Sequence, residues 1–273
     1  MSVPPLSPHP KGATPELTDA DASLPDDVDV DKPALERELD QLTGRLDQLQ
    51  RRLYAEGERA LLVILQGRDA SGKDGALRKV FGPLDPLGVT ATSFKAPTEE
   101  ELRHDFLWRV HRVVPGRGAI GVFNRSHYED VLVVRVRGLA PESAWRPRYE
   151  QINLFERILV ENATVVLKFF LHISREEQGK RLLARLEDPE KYWKFNANDL
   201  AERELWDRYT EAYQEALART STEGAPWYVV PADSKRVRDV LVARTIVETL
   251  ERMNPAWPGP PPELEALRAA LRR

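Results

Sequence analysis

The densest chemistry in the chain lies in Gly67-Arg68-Asp69-Ala70-Ser71-Gly72-Lys73-Asp74-Gly75. Gly67, Gly72 and Lys73 stand at the G-x-x-x-x-G-K spacing of a phosphate-binding loop. A phosphate group needs many donors close together. Glycines let the backbone turn so that its N–H groups converge on one anion, here those of Gly67, Ala70, Ser71, Gly72, Asp74 and Gly75. A helix starting after the loop adds the positive end of its dipole, and Lys73 adds a mobile point charge. An ordinary glycine turn is the alternative. The apolar run Leu61 to Leu65 before the loop, the helix-like segment after it and Lys73 together disfavour that.

Two acids make this loop unusual. The position after the lysine is commonly Ser or Thr, whose hydroxyl binds magnesium, and here it is Asp74. Asp69 sits inside the loop itself. A carboxylate in an anion cradle repels phosphate unless it holds a metal ion or faces an attacking group. Asp69, and less directly Asp74, therefore stand in for the missing hydroxyl. Asp74 has a plainer explanation as well, since the dipole favours an acid in a first helical turn.

A second group follows the apolar stretch 118–123: Asn124-Arg125-Ser126-His127-Tyr128-Glu129-Asp130. Phosphate-loop enzymes commonly carry an acid at the end of a neighbouring strand. Asn124 occupies that position and is neutral, so Glu129 becomes the displaced acid, and Arg125 faces phosphate. Glu129 and Asp130 also suit a first-turn charge pair. Farther on, Arg181 and Arg185 are four apart and share a helix face. They precede a segment rich in charge and aromatics, including Lys191, Trp193, Lys194 and Phe195. This pattern suits a lid over roughly 178–200 that closes on phosphate and excludes water. Arg135, Arg137 and Lys168 add positive charge near the same crevice. A row of separate cations suits a long polyanion better than one small ester. The five histidines are scattered and there is no cysteine, which disfavours a zinc site. His127 reads as structural.

These groups need elements to hold them. Residues 1–31, rich in Pro, Ser, Ala and Asp, read as a flexible or loosely draped arm. Leu35, Leu39, Leu42, Leu46, Leu49 and Leu53 form a helical stripe with Pro33 near its start. Packing on the chain's own domain is preferred for it over an oligomer contact. Strands are expected at 61–65, 89–95, 118–123, 164–171 and 226–231. Helices are expected from 76, over 98–113 behind a Thr98/Glu101 capping box, over 141–161, after a Ser174/Glu177 box, up to about 219, and over 233–253. Residues 254–273 form a Pro-rich tail ending in a short helix. Alternating strands and helices imply an α/β fold, a parallel sheet with helices on both faces. Ligands then bind beyond the carboxyl ends of the strands. That rule brings 67–74, Lys95, 124–130 and the residues after His172 to one crevice.

A chain of 273 residues, 41% hydrophobic, suffices for one such domain over 32–253. Disulfides and thiol catalysis are excluded by the cysteine count. No apolar run is long enough to span a bilayer and no signal-peptide pattern opens the chain, so the default compartment is the cytoplasm, without membrane attachment. The net charge of −4 argues against a nucleic-acid partner.

The motifs together resemble the family-2 polyphosphate kinases. Gly67 to Gly75, Phe123 to Asp130, His172-Ile173-Ser174, Asp188-Pro-Glu-Lys-Tyr-Trp-Lys-Phe195 and Ala225 to Asp233 appear in order, across about residues 32–252. The resemblance implies a thymidylate-kinase-like phosphate-loop (P-loop) fold of three layers with a helical lid. It implies transfer of a terminal phosphoryl group between inorganic polyphosphate and a nucleotide. Magnesium is implied, with manganese as a substitute, and adenine nucleotides, with guanine as a second option. Assembly as a homo-oligomer, dimer or tetramer, is also expected. Carried onto this sequence, Asp69 and Glu129 would bind metal and position the attacking phosphate. Lys73 and the loop amides would hold phosphate, Asn124 and Arg125 would touch it at the strand end, and the lid would supply Arg181 and Arg185. Many members carry Asp where Asn124 stands. The form Asn-Arg-Ser-His-Tyr-Glu-Asp looks like the group that accepts both AMP and ADP. Two other readings compete. One is a kinase of the same fold using ATP as donor, disfavoured by Asp74 and by the spread of cations. The other is a non-catalytic phosphate-binding module, which should lack the metal acids.

Overall fold

The computed structural model describes residues 3–25, 28 and 30–272. In chain order the elements are α1 (Lys32–Glu56), β1 (Ala60–Gln66), α2 (Lys73–Ala76, continued by a wider turn Leu77–Phe81), β2 (Val89–Ser93), α3 (Trp108–His111), β3 (Ile120–Asn124), α4 (Val133–Val136), α5 (Glu142–Trp145) and α6 (Arg148–Glu161). They continue with β4 (Thr164–His172), α7 (Arg175–Leu186), a 3-10 segment Pro189–Lys194, α8 (Asn198–Glu204), α9 (Trp206–Thr220), β5 (Trp227–Pro231), α10 (Lys235–Met253) and α11 (Leu264–Leu271).

The five strands form one sheet in the order β2-β3-β1-β4-β5, and each pair is parallel. β1 is buried along its whole length, as an apolar central strand requires. Its side chains alternate between two cores. Leu61, Val63 and Leu65 pack with the leucines of α1 and with Val240, Leu241 and Ile246 of α10. Leu62 and Ile64 pack with Ile152 and Phe155 of α6 and Ala216 and Leu217 of α9. The result is three layers. The α1 stripe is spent inside the chain, since Leu35, Leu46, Leu49 and Leu53 are buried against α10 and the sheet. Among the described residues no helix is long and apolar enough to cross a membrane. The register pairs Leu65 with Asn124 and Gln66 with Phe170, so the loops after β1, β3 and β4 leave the same edge.

Two expected helices are broken. The Thr98/Glu101 box forms, with Glu101 Oε2 accepting from the Thr98 amide at 2.8 Å. It opens only one turn, Glu101–Arg103, before Asp105 caps a new start at Leu107. The expected 141–161 helix divides at Pro147, which cannot donate within a helix interior. The arm is a larger departure. It is irregular but pinned: Val3 and Ala22 are buried, the His9 amide donates to Trp227 O at 2.7 Å, and Gln214 Nε2 donates to Pro15 O at 2.8 Å. Its few apolar side chains are supplemented by backbone hydrogen bonds, which composition does not reveal.

Two cations expected in the crevice lie elsewhere. Lys168 sits mid-strand in β4, and its side chain turns into the core. There it meets Glu156 at 2.5 Å, the Tyr128 hydroxyl at 2.9 Å and Thr220 O at 2.6 Å. A lysine at this depth must be paired, and it is paired with protein, so its assignment to phosphate is corrected. Arg135 on α4 is likewise occupied by Glu215 at 2.5 Å and lies over the Trp145 ring. Breaking a buried pair strands a charge, which costs about 3–5 kcal/mol. Glu156→Gln should lose about that much stability in urea unfolding, and adding Lys168→Met should recover most of it. An unchanged midpoint for Glu156→Gln would refute the pairing.

Candidate active site

The loops leaving the carboxyl edge of the sheet enclose a cavity of about 1150 Å³. The phosphate loop forms its floor. Gly67 and Gly72 cannot be replaced there without a clash. A Cβ on Gly67 would lie 2.7 Å from Leu171 O, and one on Gly72 would lie 1.8 Å from Arg238 Nη1, with φ +100 besides. Ala70 also adopts a left-handed conformation, at φ +63.

The six carbonyls from Gly67 to Gly72 all accept hydrogen bonds. Lys73 Nζ donates to Gly67 O at 2.7 Å and Arg68 O at 3.1 Å. Gln178 of α7 donates to Asp69 O at 3.0 Å. Arg181 of α7 reaches Ala70 O at 3.0 Å and Ser71 O at 3.2 Å, and Arg238 of α10 reaches Ser71 O at 3.4 Å. Gly72 O accepts from the Ala76 amide in the first turn of α2. With the carbonyls held from behind, the amides of Asp69, Ala70, Gly72, Lys73 and Asp74 have no protein acceptor among the described residues. The backbone has the donor arrangement of an oxyanion cradle. Ser71 is the exception among the expected donors, because its amide turns to Arg68 O at 3.1 Å.

Arg125 stands at the other wall, immediately after β3. It too is left-handed, at φ +61, a conformation that costs about 1–2 kcal/mol for a residue with a side chain. The turn aims its guanidinium between two acids: Asp69 at 2.6 Å and Glu129 at 3.5 Å. Gln66, the last residue of β1, donates to the same Glu129 at 3.0 Å. Glu129 and then Asp69 hold the Arg125 guanidinium above its usual range despite burial. Burial disfavours charge on Asp69, yet Lys73, Arg125 and Arg185 keep its carboxyl below the ordinary carboxylate range. Asp69 is therefore poised as an anion beside the cradle.

The two unusual positions of the sequence meet. Asn124 Nδ2 donates to Asp74 Oδ1 at 2.6 Å. A carboxylate at 124 would face Asp74 with like charge, so the neutral amide suits the acid after the lysine. The lid segment covers the cavity from the α7 side. Arg185 is tied to Lys194 O at 3.2 Å and Asp199 at 3.4 Å, while Lys191, Trp193 and Lys194 line the opening. Arg181 plays a different part from the one expected. Its guanidinium donates to Ala70 O, Ser71 O, Ala232 O, Asp233 O and Glu177, which commits its donors to protein oxygens. It braces the loop and does not reach into the cavity with a free donor.

Several residues in or just behind the cavity wall were not singled out from the sequence. Arg238, buried and paired with Asp239 at 2.7 Å, and Lys235 sit one turn apart at the start of α10. Their signal was a K-x-x-R pair directly after the last strand. Arg68 stacks on the Trp206 ring at 3.8 Å and joins the loop to α9. Gln66 was a polar residue closing an apolar strand. Gln178 carried no local signal.

Comparisons with known proteins bear on this arrangement. A family model described as polyphosphate kinase 2 matches residues 29–258. An AMP/ADP-polyphosphate phosphotransferase of Meiothermus ruber is 55% identical over 219 residues, 80% of this chain and 82% of that one. An ADP-polyphosphate phosphotransferase of Rhodopseudomonas palustris is 48% identical over 230 residues, 80% of each chain. The crystal structure of a polyphosphate kinase 2 from Arthrobacter aurescens superposes with a TM-score of 0.91 at 41% identity, over 98% of this chain and 99% of that one.

Lys73 offers a test of the cradle. Burial pushes its ammonium down to about 8. A bound anion favours the charged form, so anion binding should take up a proton above that pH. Sulfate does not titrate in this range. Its affinity is expected to fall as pH rises through about 8, by up to tenfold per unit. Lys73→Arg should abolish that dependence. A flat wild-type profile between pH 7 and 9.5, read by calorimetry, would contradict the assignment.

Proposed function

This chain belongs to the polyphosphate kinase 2 family, and from that premise we propose that it transfers the terminal phosphoryl group of inorganic polyphosphate to nucleotides, AMP to ADP and ADP to ATP. The observation that carries the reading is the placing of two carboxylates, Asp69 and Glu129, on either side of Arg125 at the mouth of an amide cradle. A simple phosphate-binding module has no use for those acids, and a cavity of this size with cations on several sides suits two polyanions.

In the proposed reaction an oxygen of the nucleotide phosphate attacks the terminal phosphorus of the chain in line. The new P–O bond forms as the bridging P–O bond breaks, and the polyphosphate leaves shorter by one unit. The attacking oxygen is already anionic at neutral pH, so no strong general base is required. The loop amides and Lys73 hold phosphate oxygens, and Arg125 leaves its carboxylates to meet charge on the transferred group. The neutral Asn124 orients Asp74 at the loop end. Gln178, Arg181 and Arg238 keep the cradle in shape from behind.

The donor set fits a divalent ion of the magnesium kind. Such ions take one or two carboxylates and complete their shell with water and substrate phosphates. Asp69 and Glu129 are two anionic carboxylates sharing one cation, and no group of three or more metal-binding side chains stands among the described residues. Magnesium, or manganese in its place, would be held by Asp69 and Glu129 and would neutralise phosphate charge. Adenine nucleotides are the proposed acceptors, with guanine nucleotides as a second option. A cytoplasmic setting, no nucleic-acid or membrane partner, and assembly as a dimer or tetramer belong to the same proposal. Since the leucine stripe of α1 is consumed internally, such an assembly would use another face.

The assay supplies purified protein with magnesium, polyphosphate and either AMP or ADP, and resolves products by chromatography. ADP and ATP from AMP are expected. Product only when ATP is offered as donor would overturn the reading. Asp69→Asn and Glu129→Gln should each lower kcat by about 10²-fold or more, the scale of lost electrostatic stabilisation, with melting unchanged. Near-wild-type turnover in either would remove it from the site.

A further inference from the structure

Residues 18–23 of the arm lie outside the family match, which begins at residue 29. They nevertheless contact residues that hold the phosphate loop. Two hydrogen-bonded routes run from them to the phosphate loop.

The first passes through Asp233, just after β5. The Asp233 amide donates to Ala22 O at 3.0 Å, and its carboxylate accepts from Ser23 Oγ at 3.3 Å. The same carboxylate accepts from the amide and hydroxyl of Ser174 at 2.9 and 2.7 Å, where α7 begins. Asp233 O accepts from Arg181 at 2.7 Å, and Arg181 holds Ala70 O and Ser71 O. The second route begins at Asp19, whose carboxylate accepts from the Arg175 amide at 3.1 Å. Arg203 joins Arg175 O at 2.6 Å to Gln178 at 3.0 Å, and Gln178 holds Asp69 O.

The arm is shaped to make these contacts. Thr18 folds onto Asp21, whose carboxylate accepts from its amide at 2.9 Å and its hydroxyl at 2.6 Å. That turn presents Thr18 O to the buried His172 at the end of β4, with Nε2 at 2.6 Å. A carbonyl only accepts, so Nε2 carries the proton and the tautomer is set. Ala22 is fully buried. Ordering this stretch costs backbone entropy, and Leu17 and Ala22 alone bury little apolar surface against that cost.

We propose that residues 18–23 are a positioning strap. Through Arg175 and Asp233 they fix the first turn of α7, and with it the Gln178 and Arg181 side chains that hold the phosphate loop. Asp19, Asp21 and Ser23 act through other residues and touch no substrate. The kinetic part of the inference rests on the phosphotransfer reading above.

The test compares wild type with the full-length variant Asp19→Ala/Asp21→Ala/Ser23→Ala, whose altered side chains are all exposed. Deuterium exchange should accelerate at least about threefold in 174–187 and 67–75, and stay unchanged in β1 and α6. The KM for polyphosphate should rise about 3- to 10-fold, the scale of one lost ordinary hydrogen bond, while the KM for AMP holds. Asp19→Asn, which still offers an acceptor to Arg175, should behave as wild type. Unchanged exchange in both segments overturns the strap, as does faster exchange with an unaltered KM. If the triple variant fails to fold, single Asp19→Ala carries the same comparison. If the wild-type protein transfers no phosphate, the functional reading fails and the exchange comparison alone decides the strap.

Discussion

The phosphate loop can face an anion only because its carbonyls are turned away and held. A peptide unit points its N–H and C=O in opposite directions, so amides aimed at phosphate leave carbonyls aimed at protein. Six consecutive carbonyls, Gly67 to Gly72, find donors in Lys73, Gln178, Arg181, Arg238 and the backbone of the turns. Those donors come from the loop's own helix, from α7 and from α10. The parallel sheet brings the starts of all three helices to one edge, since each follows a strand. The glycines follow from the same constraint, because Arg238 lies so close behind Gly72 that a side chain there would displace it.

Electrostatics at the front of the loop is a matter of sharing. Lys73 and Arg125 are cations that a polyphosphate could use, and Asp69, Asp74 and Glu129 are anions that would repel it. Each anion is matched: Asp69 and Glu129 by Arg125, Asp74 by the Asn124 amide. The left-handed backbone at Arg125 places the guanidinium between its acids, a local strain at the point where the chemistry is proposed. In the proposed reaction, Arg125 would pass to an arriving phosphate while Asp69 and Glu129 would be left to hold a divalent ion, so that no charge stays unpaired.

Much of this was legible in the sequence. The apolar run before Gly67 and the glycine spacing after it required a strand-loop-helix unit. Strand alternation required a parallel sheet, and with it the convergence of 67–74 with 124–130. Other parts were not legible, for physical reasons. Lys168 counted among the cations near the crevice because β4 runs toward it, yet its side chain is compensated by Glu156, on a neighbouring helix. Arg181 was recognised as a cation but not as a brace, since the carbonyls it holds lie more than a hundred residues away. Gln178 and Arg238 have meaning only once α7 and α10 are packed. The arm has the composition of a flexible segment, and its attachment depends on main-chain groups that every sequence possesses.

The amides of Asp69, Ala70, Gly72, Lys73 and Asp74 are proposed to form the cradle for the phosphate, held open by side chains behind them. The most direct measurement follows those amides by nitrogen–proton resonance in isotope-labelled protein as tripolyphosphate is added with magnesium. Anion acceptance at these N–H groups predicts large downfield proton shifts at Gly72, Lys73 and Asp74, with Ser71, whose amide already faces Arg68, little changed. Saturating binding with these resonances unmoved would place the phosphate elsewhere and contradict the account.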